Sequence, residues 1–322
     1  FIFMYAFTMA VLRGAGDSRT PFMFLLLSVG LDIVLNPLFI FGVGPLPRLG
    51  IAGSALATLI ANIVSLAALL LYLYRRRHPL VLHRGEARLL RIGGAVTPTL
   101  AKQGAPKGVL LVRVSVSAIL MLGLINQFGS HTTAGFAACM QVWSYVQMPA
   151  FAMGAAVSSM AAQNVGAGRW NRVGRTAKAG VAFQTIVTAV SVALITFFAR
   201  PLLGIFLPEG SPALATAVHL NLIATWSFIF FGVMMVLFGV IRSTGAVVVP
   251  LIILIVTLWA VRFPAAASLM GRYGEDAIWW SFPASSLLSM LFAVLYYRYG
   301  GWRKARMAPA VAPRSSPSAA AE

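Results

Sequence analysis

Acidic residues are nearly absent from this chain: seven Asp and Glu stand against 25 Lys and Arg in 322 residues. A single cysteine, Cys139 in an apolar run, excludes an intrachain disulfide and a cysteine-based metal site, and it reads as a small buried residue. Of the histidines, His78, His83 and His219 lack metal-ligand spacing, and His131 reads as a solvated loop residue. There is no H-E-x-x-H, no G-x-S-x-G and no paired acid, so an intramembrane enzyme has little to stand on. The glycines of Gln163 to Gly168 do not form a phosphate loop, because no Lys-Ser/Thr follows them and no strand precedes them.

What is present is hydrocarbon. The chain is 59% hydrophobic and 10% charged, with mean hydropathy +0.86, far outside the range of soluble domains. It reads as an all-α integral membrane protein with the lipid bilayer as its surroundings. Apolar runs of about 20 residues or more, enough to span a hydrocarbon core, fall near 21–43, 51–74, 98–125, 134–162, 177–198, 213–241, 246–270 and 277–299. Phe1 to Leu12 is apolar but too short to span. It has neither a charged leading region nor a small-residue cleavage site, so it reads as the end of a helix that begins upstream.

The net charge of +18 invites a nucleic-acid reading, but its distribution points elsewhere. Lys and Arg crowd every second loop: Arg13 and Arg19, Arg75 to Arg91, Arg169 to Lys178, Arg242, and Arg298 to Arg314. The intervening loops hold only Arg48, Arg200 and Arg272. This is the positive-inside pattern; it places the basic loops and the C-terminus in the cytoplasm of a multi-pass plasma-membrane protein and leaves no nucleic-acid role. The run Tyr74 to Arg77 serves either as that topology signal or as a contact for anionic lipid.

Only one acid, Asp32, falls inside an apolar run, about 11 residues or roughly 16 Å into its helix, near the bilayer midplane. Asn36 follows at i+4 on the same face, where an amide can hydrogen-bond the carboxyl in either protonation state. An intramembrane carboxylate is costly, which makes this pair the candidate ion-handling site. Taking up and losing a proton there would shift a two-state equilibrium between inward-open and outward-open forms, since burying a bare carboxylate is disfavoured. The alternative is a structural acid that holds a cation or backbone groups.

A repeat is visible between two basic turns. Arg13, Gly16 and Pro21 read R-x-x-G-x-x-x-x-P, and Arg242, Gly245 and Pro250 read the same. The Arg ends a helix at the headgroups, the Gly permits the turn, and the Pro opens the next helix without wasting an N–H. Such duplication marks transporters built from two related bundles. By symmetry with the second copy, roughly 130 residues of the first bundle are expected upstream. The chain then divides into 1–74, the rest of a first lobe; 75–97, a basic cytoplasmic linker; 98–300, a second lobe; and 301–322, an Ala/Pro/Ser-rich disordered tail.

RGAGDSRTP at Arg13 to Pro21, LDIVLNPLFIFG at Leu31 to Gly42, GIAGSALAT at Gly50 to Thr58 and QNVGAG at Gln163 to Gly168 resemble the multidrug and toxic compound extrusion (MATE) family. Arg262, Phe263 and Pro264 also match a feature of that family's eleventh helix. The resemblance covers residues 1–300 and runs from the family's fourth helix, in part, through its twelfth. It implies a MATE-like two-lobe bundle with about eight full transmembrane helices plus one partial, in which the missing N-terminal helices complete the first lobe. It further implies export of cationic or amphipathic compounds in exchange for H⁺ or Na⁺ by alternating access, with no cofactor beyond the coupling ion. In one branch an Asp on the first helix works with an Asn and an Asp on the fifth and a Thr on the sixth. Here Asp32 precedes Asn36, the reverse of the family order, which moves the acid by one turn, about 6 Å; Thr58 matches the hydroxyl. The branch that uses acids on the seventh and tenth helices finds none in 98–125 or 213–241.

The second lobe supplies substrate-cavity candidates. Lys102 and Arg113, 11 residues apart, share a helix face within about 20°. They form either a basic stripe for an anionic substrate, as in a lipid-linked saccharide flippase, or a snorkelling Lys and an Arg bonded to carbonyls or to Gln141. Gln141, Ser144, Tyr145 and Gln147 interrupt 134–162, near a Pro149 expected to bend it, and satisfy either a substrate or neighbouring helices. Met140, Met148, Phe151, Met153, Met234 and Met235 suit an adaptable pocket or ordinary packing.

Overall fold

The structure, a computed structural model, describes residues 1–42, 48–78 and 96–304, and these form helices joined by turns. Most of the linker 75–97 and of the tail 301–322 lies outside the described residues. The chain divides into two compact units, Phe1–Gly93 and Gly94–Glu322.

In the first unit, α1 (Ile2–Gly14), α2 (Arg19–Phe41) and α3 (Ile51–Arg75) run in sequence. Tyr5, Met9 and Leu12, at helical spacing on α1, bury against Leu66, Leu69 and Leu73 of α3. The Tyr5 hydroxyl donates to the Phe24 carbonyl at 2.7 Å, tying α1 to α2. Most of α2 stays exposed, Ile33 and Val34 among it. The α2–α3 hairpin closes tightly because Gly53 has no side chain: a Cβ there would lie 3.0 Å from the Ile40 nitrogen and closer still to the Phe39 carbonyl.

The repeated turn has one backbone geometry in both copies. Gly16 adopts φ +95 and Gly245 φ +90, a region open to glycine. Each glycine N–H donates to the Arg three residues back, at 3.1 Å for Arg13 and 3.0 Å for Arg242. Pro21 and Pro250 then lie in the first turn of the following helix.

The second unit comprises α4 (Val96–Asn126), α5 (Ser130–Gly166), α6 (Trp170–Phe197), the short α7 (Ala199–Gly204), α8 (Pro212–Ala224), α9 (Phe228–Arg242), α10 (Val248–Ile255), α11 (Phe263–Tyr273) and α12 (Glu275–Tyr299). A single 3-10 turn, Thr225–Ser227, joins α8 to α9, so the pair forms one long apolar segment. Ser211 caps α8 by accepting from the Leu214 N–H at 3.3 Å, with Pro212 opening the helix. Among the described residues six segments are long and apolar enough to cross a membrane: α2, α3, α6, α8–α9, α10–α11 and α12. Of the other two expected spans, the 37-residue α5 is interrupted by polar residues that lower its hydropathy, and many side chains of the 31-residue α4 lie outside the described residues.

Two core clusters fill this unit. One gathers Phe136, Trp143 and Val146 of α5 with Leu220 and Trp279; the other gathers Ala150, Val157 and Ala161 of α5 with Val236, Phe238 and Val240 of α9. Pro149 sits between them inside an α5 that continues as one helix. Without a hydrophobic drive between helices in lipid, close backbone approach does the work. Gly154 of α5 and Gly239 of α9 meet so closely that a Cβ on either would strike the other helix's main chain. After α12 the chain turns back and buries Trp302, whose indole donates to the Tyr297 carbonyl at 2.7 Å and whose own carbonyl accepts from Thr244 at 2.8 Å.

Between α10 and α11 the helix widens into a π-helical segment, Val256–Arg262. Sequence periodicity gives no sign of it, because the insertion of one residue per turn depends on what the neighbouring helix offers.

Candidate functional site

Asp32 lies near the middle of the 23-residue α2, half-buried, and its carboxylate turns toward α3. There the Thr58 hydroxyl donates to Asp32 Oδ1 at 2.9 Å. No ion pair joins Asp32 to a cation among the described residues. A neutral hydroxyl is both donor and acceptor, so it can serve the acid in either protonation state, whereas an Arg or Lys partner would hold it ionised.

Asn36 does not bond the carboxyl, contrary to the sequence expectation. Its amide donates to the Asp32 main-chain carbonyl at 3.0 Å. The short Asn side chain at i+4 falls over the i carbonyl of its own helix, while the carboxyl leans away across the helix pair. Asn62 repeats this on α3, donating to the Thr58 carbonyl at 2.7 Å. Asn62 went unnoticed in the sequence, although the signal was there: Ser28, Asp32 and Asn36 are spaced by four on α2, and Ser54, Thr58 and Asn62 are spaced by four on α3. In the antiparallel register that pairs Asp32 with Thr58, Ser28 comes level with Asn62 and Asn36 with Ser54. Among the described residues the two stripes are joined by the Thr58–Asp32 hydrogen bond, while Asn36 and Asn62 each bond a carbonyl of their own helix.

An acid outside the apolar runs behaves differently. Asp17, in the turn before α2, accepts from the Arg19 and Thr20 N–H groups, each at 3.0 Å. The Thr20 side chain, then its N–H, holds the Asp17 carboxyl below the usual carboxylate range. This acid satisfies the first N–H groups of α2.

In the second unit, Met140, Gln141, Tyr145, Met148 and Phe151 lie on one exposed face of α5, with Tyr145 61% exposed. Ser144 and Gln147 flank it, and Ser144 spends its hydroxyl on the Gln141 carbonyl at 2.7 Å. The opposite face, Cys139, Val142, Trp143 and Val146, is core. Trp143 donates to Thr225 Oγ1 at 2.8 Å and faces Asn221 Oδ1 at 3.2 Å, so its indole is satisfied inside the bundle. Met234 and Met235 are buried in the α5–α9 core and serve packing. The side chains of Lys102 and Arg113 lie outside the described residues. Gln163 to Gly168 ends α5 in a turn whose Gly168 adopts φ +69.

Comparison with known proteins places this geometry in a family. The MatE family model matches residues 108–267. The chain is 36% identical over 307 residues to the probable multidrug resistance protein YoeA of Bacillus subtilis, covering 94% of this chain and 66% of that one. It is 32% identical over 313 residues to the probable multidrug resistance protein YpnP of the same organism, covering 95% and 67%. The chain belongs to the MATE family. Its fold agrees: a crystal structure of the Vibrio cholerae MATE transporter VcmN in the bent form superposes with TM-score 0.78 at 21% identity, over 91% of this chain and 65% of that one. The chain spans about two thirds of the length of the curated relatives it matches. A MATE chain with six apolar helical segments is a multi-pass membrane protein, and MATE proteins are transporters that need no cofactor, which sets the enzyme reading aside.

Proposed function

We propose that this protein acts in a secondary exporter of amphipathic or cationic organic compounds, driven by H⁺ or Na⁺ exchange at Asp32. The observation that carries the reading is the Thr58 to Asp32 hydrogen bond at 2.9 Å: the acid sits midway along an apolar helix with a neutral partner. A carboxyl inside an apolar span, bonded to a hydroxyl that can both donate and accept, marks a functional site by its cost and can keep that bond with or without a proton, which is what coupling requires. Asn36 acts indirectly in this scheme, fixing the α2 backbone beside the acid, and Thr58 is its direct partner.

The names of the curated relatives support drug efflux as the transported class. The exposed α5 face of Met140, Gln141, Tyr145, Met148 and Phe151, with Ser144 and Gln147 beside it, is the proposed substrate surface: soft and aromatic, with a few amides and hydroxyls. The unit Phe1–Gly93 then belongs to the first lobe and Gly94–Glu322 holds the second. The basic turns, Arg13 and Arg242 among them, and the C-terminus face the cytoplasm under the positive-inside rule.

Efflux of a cationic dye, measured in everted vesicles containing the intact protein under a pH or a Na⁺ gradient, tests the assignment. Asp32→Asn is expected to abolish gradient-driven efflux at unchanged expression, and the effective gradient names the ion. Normal efflux by that variant refutes the role given to Asp32.

A further inference from the structure

We propose that Arg262 is the centre of an anion-binding site in the second unit, one that takes a small monovalent group, either a free halide or the carboxylate of an amphipathic solute. Arg262 closes the π-helical segment inside the apolar span Val248–Tyr273. Its Nε donates to Ser285 Oγ at 2.7 Å and its guanidinium lies over the Phe282 ring at 4.5 Å. A guanidinium carries five N–H donors and no acceptor, and it stays charged. One donor is spent on Ser285; among the described residues no carboxylate, carbonyl or hydroxyl takes the other four. Arg242, by contrast, turns its Nε onto the Phe238 carbonyl of its own helix at 3.1 Å.

Among the described residues no acidic side chain pairs with Arg262. Ser281, Ser285 and Ser289 line one buried face of α12 at a spacing of four, and Thr257 meets Ser289 at 2.7 Å. Their hydrogens go to neighbours: Ser285 to the Phe282 carbonyl at 3.0 Å, Thr257 to the Ile253 carbonyl at 2.9 Å. The same two elements also bury the indole N–H groups of Trp259 and Trp279 without an acceptor. The Arg262 guanidinium thus brings unpartnered donors and a positive charge into an apolar span, and the complement to that is an acceptor-only group with a negative charge. The Phe282 ring covers one face of the guanidinium and leaves its edge for the ligand. The inference stands apart from the role proposed for Asp32.

Melting of the purified chain in dodecyl maltoside micelles, followed by tryptophan fluorescence, tests it. Sodium chloride or sodium benzoate is titrated at ionic strength held constant with a bulky sulfonate. A saturable rise in melting temperature is expected with at least one salt: with benzoate alone for an amphipathic solute, or with chloride for a free halide. Arg262→Gln should remove the rise. Arg262→Lys keeps the charge without the planar fork and should raise the half-saturating concentration about tenfold, which decides the matter if the Gln variant does not fold. No saturable rise in the wild type, an undiminished rise in Arg262→Gln, or unchanged half-saturation in Arg262→Lys overturns the site.

Discussion

Replacing Gly239 by alanine tests how firmly α5, which carries the proposed substrate face, is seated against α9. A Cβ at Gly239 would lie 3.2 Å from the Gly154 carbonyl carbon and 3.4 Å from its Cα, and nearer still to its oxygen; in return a Cβ at Gly154 would lie 3.0 Å from the Met235 oxygen. All of these are main-chain atoms, which cannot rotate aside as a side-chain tip would. The helices must separate by several tenths of an ångström, and the cores on both sides lose contact with them. Overpacking of this kind costs about 1–3 kcal/mol, against which alanine recovers about 1 kcal/mol of helix propensity over glycine. The net expectation is a loss of up to about 2 kcal/mol, toward the upper end because the atoms struck are main chain, or a fall of up to about 8 °C in melting temperature. Gly174→Ala on α6 is the control, because a Cβ there meets nothing within 4 Å; it should raise stability by up to about 1 kcal/mol. Melting in detergent micelles reads both. A Gly239→Ala protein as stable as the wild type, alongside a stabilised Gly174→Ala protein, would refute the close-approach argument.

Other outcomes follow from the same structure. Asp17→Ala should cost about 1 kcal/mol at neutral pH through the lost cap on α2, whereas Asp17→Asn keeps an acceptor and should cost little. Because the folded carboxyl titrates below its unfolded value, the contribution of Asp17 is fully present above the unfolded value of about 4 and fades as pH falls through the lower folded one. Melting curves of wild type and Asp17→Asn between neutral pH and pH 3 check this, and a wild-type loss that begins well above pH 4 and is cured by Asn would contradict it. Cys139 is buried, with its thiol 3.2 Å from the Ala217 carbonyl, so a membrane-impermeant maleimide should leave the native protein unlabelled. Tyr145→Cys should label quickly and Val146→Cys should not, since they lie on opposite faces of α5. An unlabelled Tyr145→Cys would mean that this face meets lipid instead of an aqueous cavity.

Much of the fold could be read along the chain because in a bilayer the solvent itself sets the rule. Every buried backbone group must bond within its own helix, so runs of apolar residues of sufficient length become helices whatever their neighbours do. The repeated turn was legible for a similar reason. Arg, Gly and Pro each do something the backbone needs at that point, and Gly16 and Gly245 take nearly the same φ. Asp32 stood out because it is the one acid in an apolar run, and Thr58 because of a family resemblance. Asn36 shows where such reading stops: its spacing places it on the right face, but whether its amide reaches a carboxyl or a carbonyl depends on which way Asp32 leans. The serine ladder of α12 has the same spacing of four as the α2 stripe, yet its meaning comes only from facing Arg262.

The sequence by itself determined where the chain is oily, where it is charged, which segments become helices and where they turn, since these rest on local periodicity and on transfer of single residues between water and hydrocarbon. Tertiary structure alone decided that Thr58 rather than Asn36 bonds the Asp32 carboxyl, which methionines pack and which stand exposed, how closely α5 and α9 approach, and that Arg262 keeps four donors without a partner among the described residues. Those outcomes depend on the rotation of each helix about its axis and on contacts between residues far apart in the chain, and neither is written in the order of residues within any one helix.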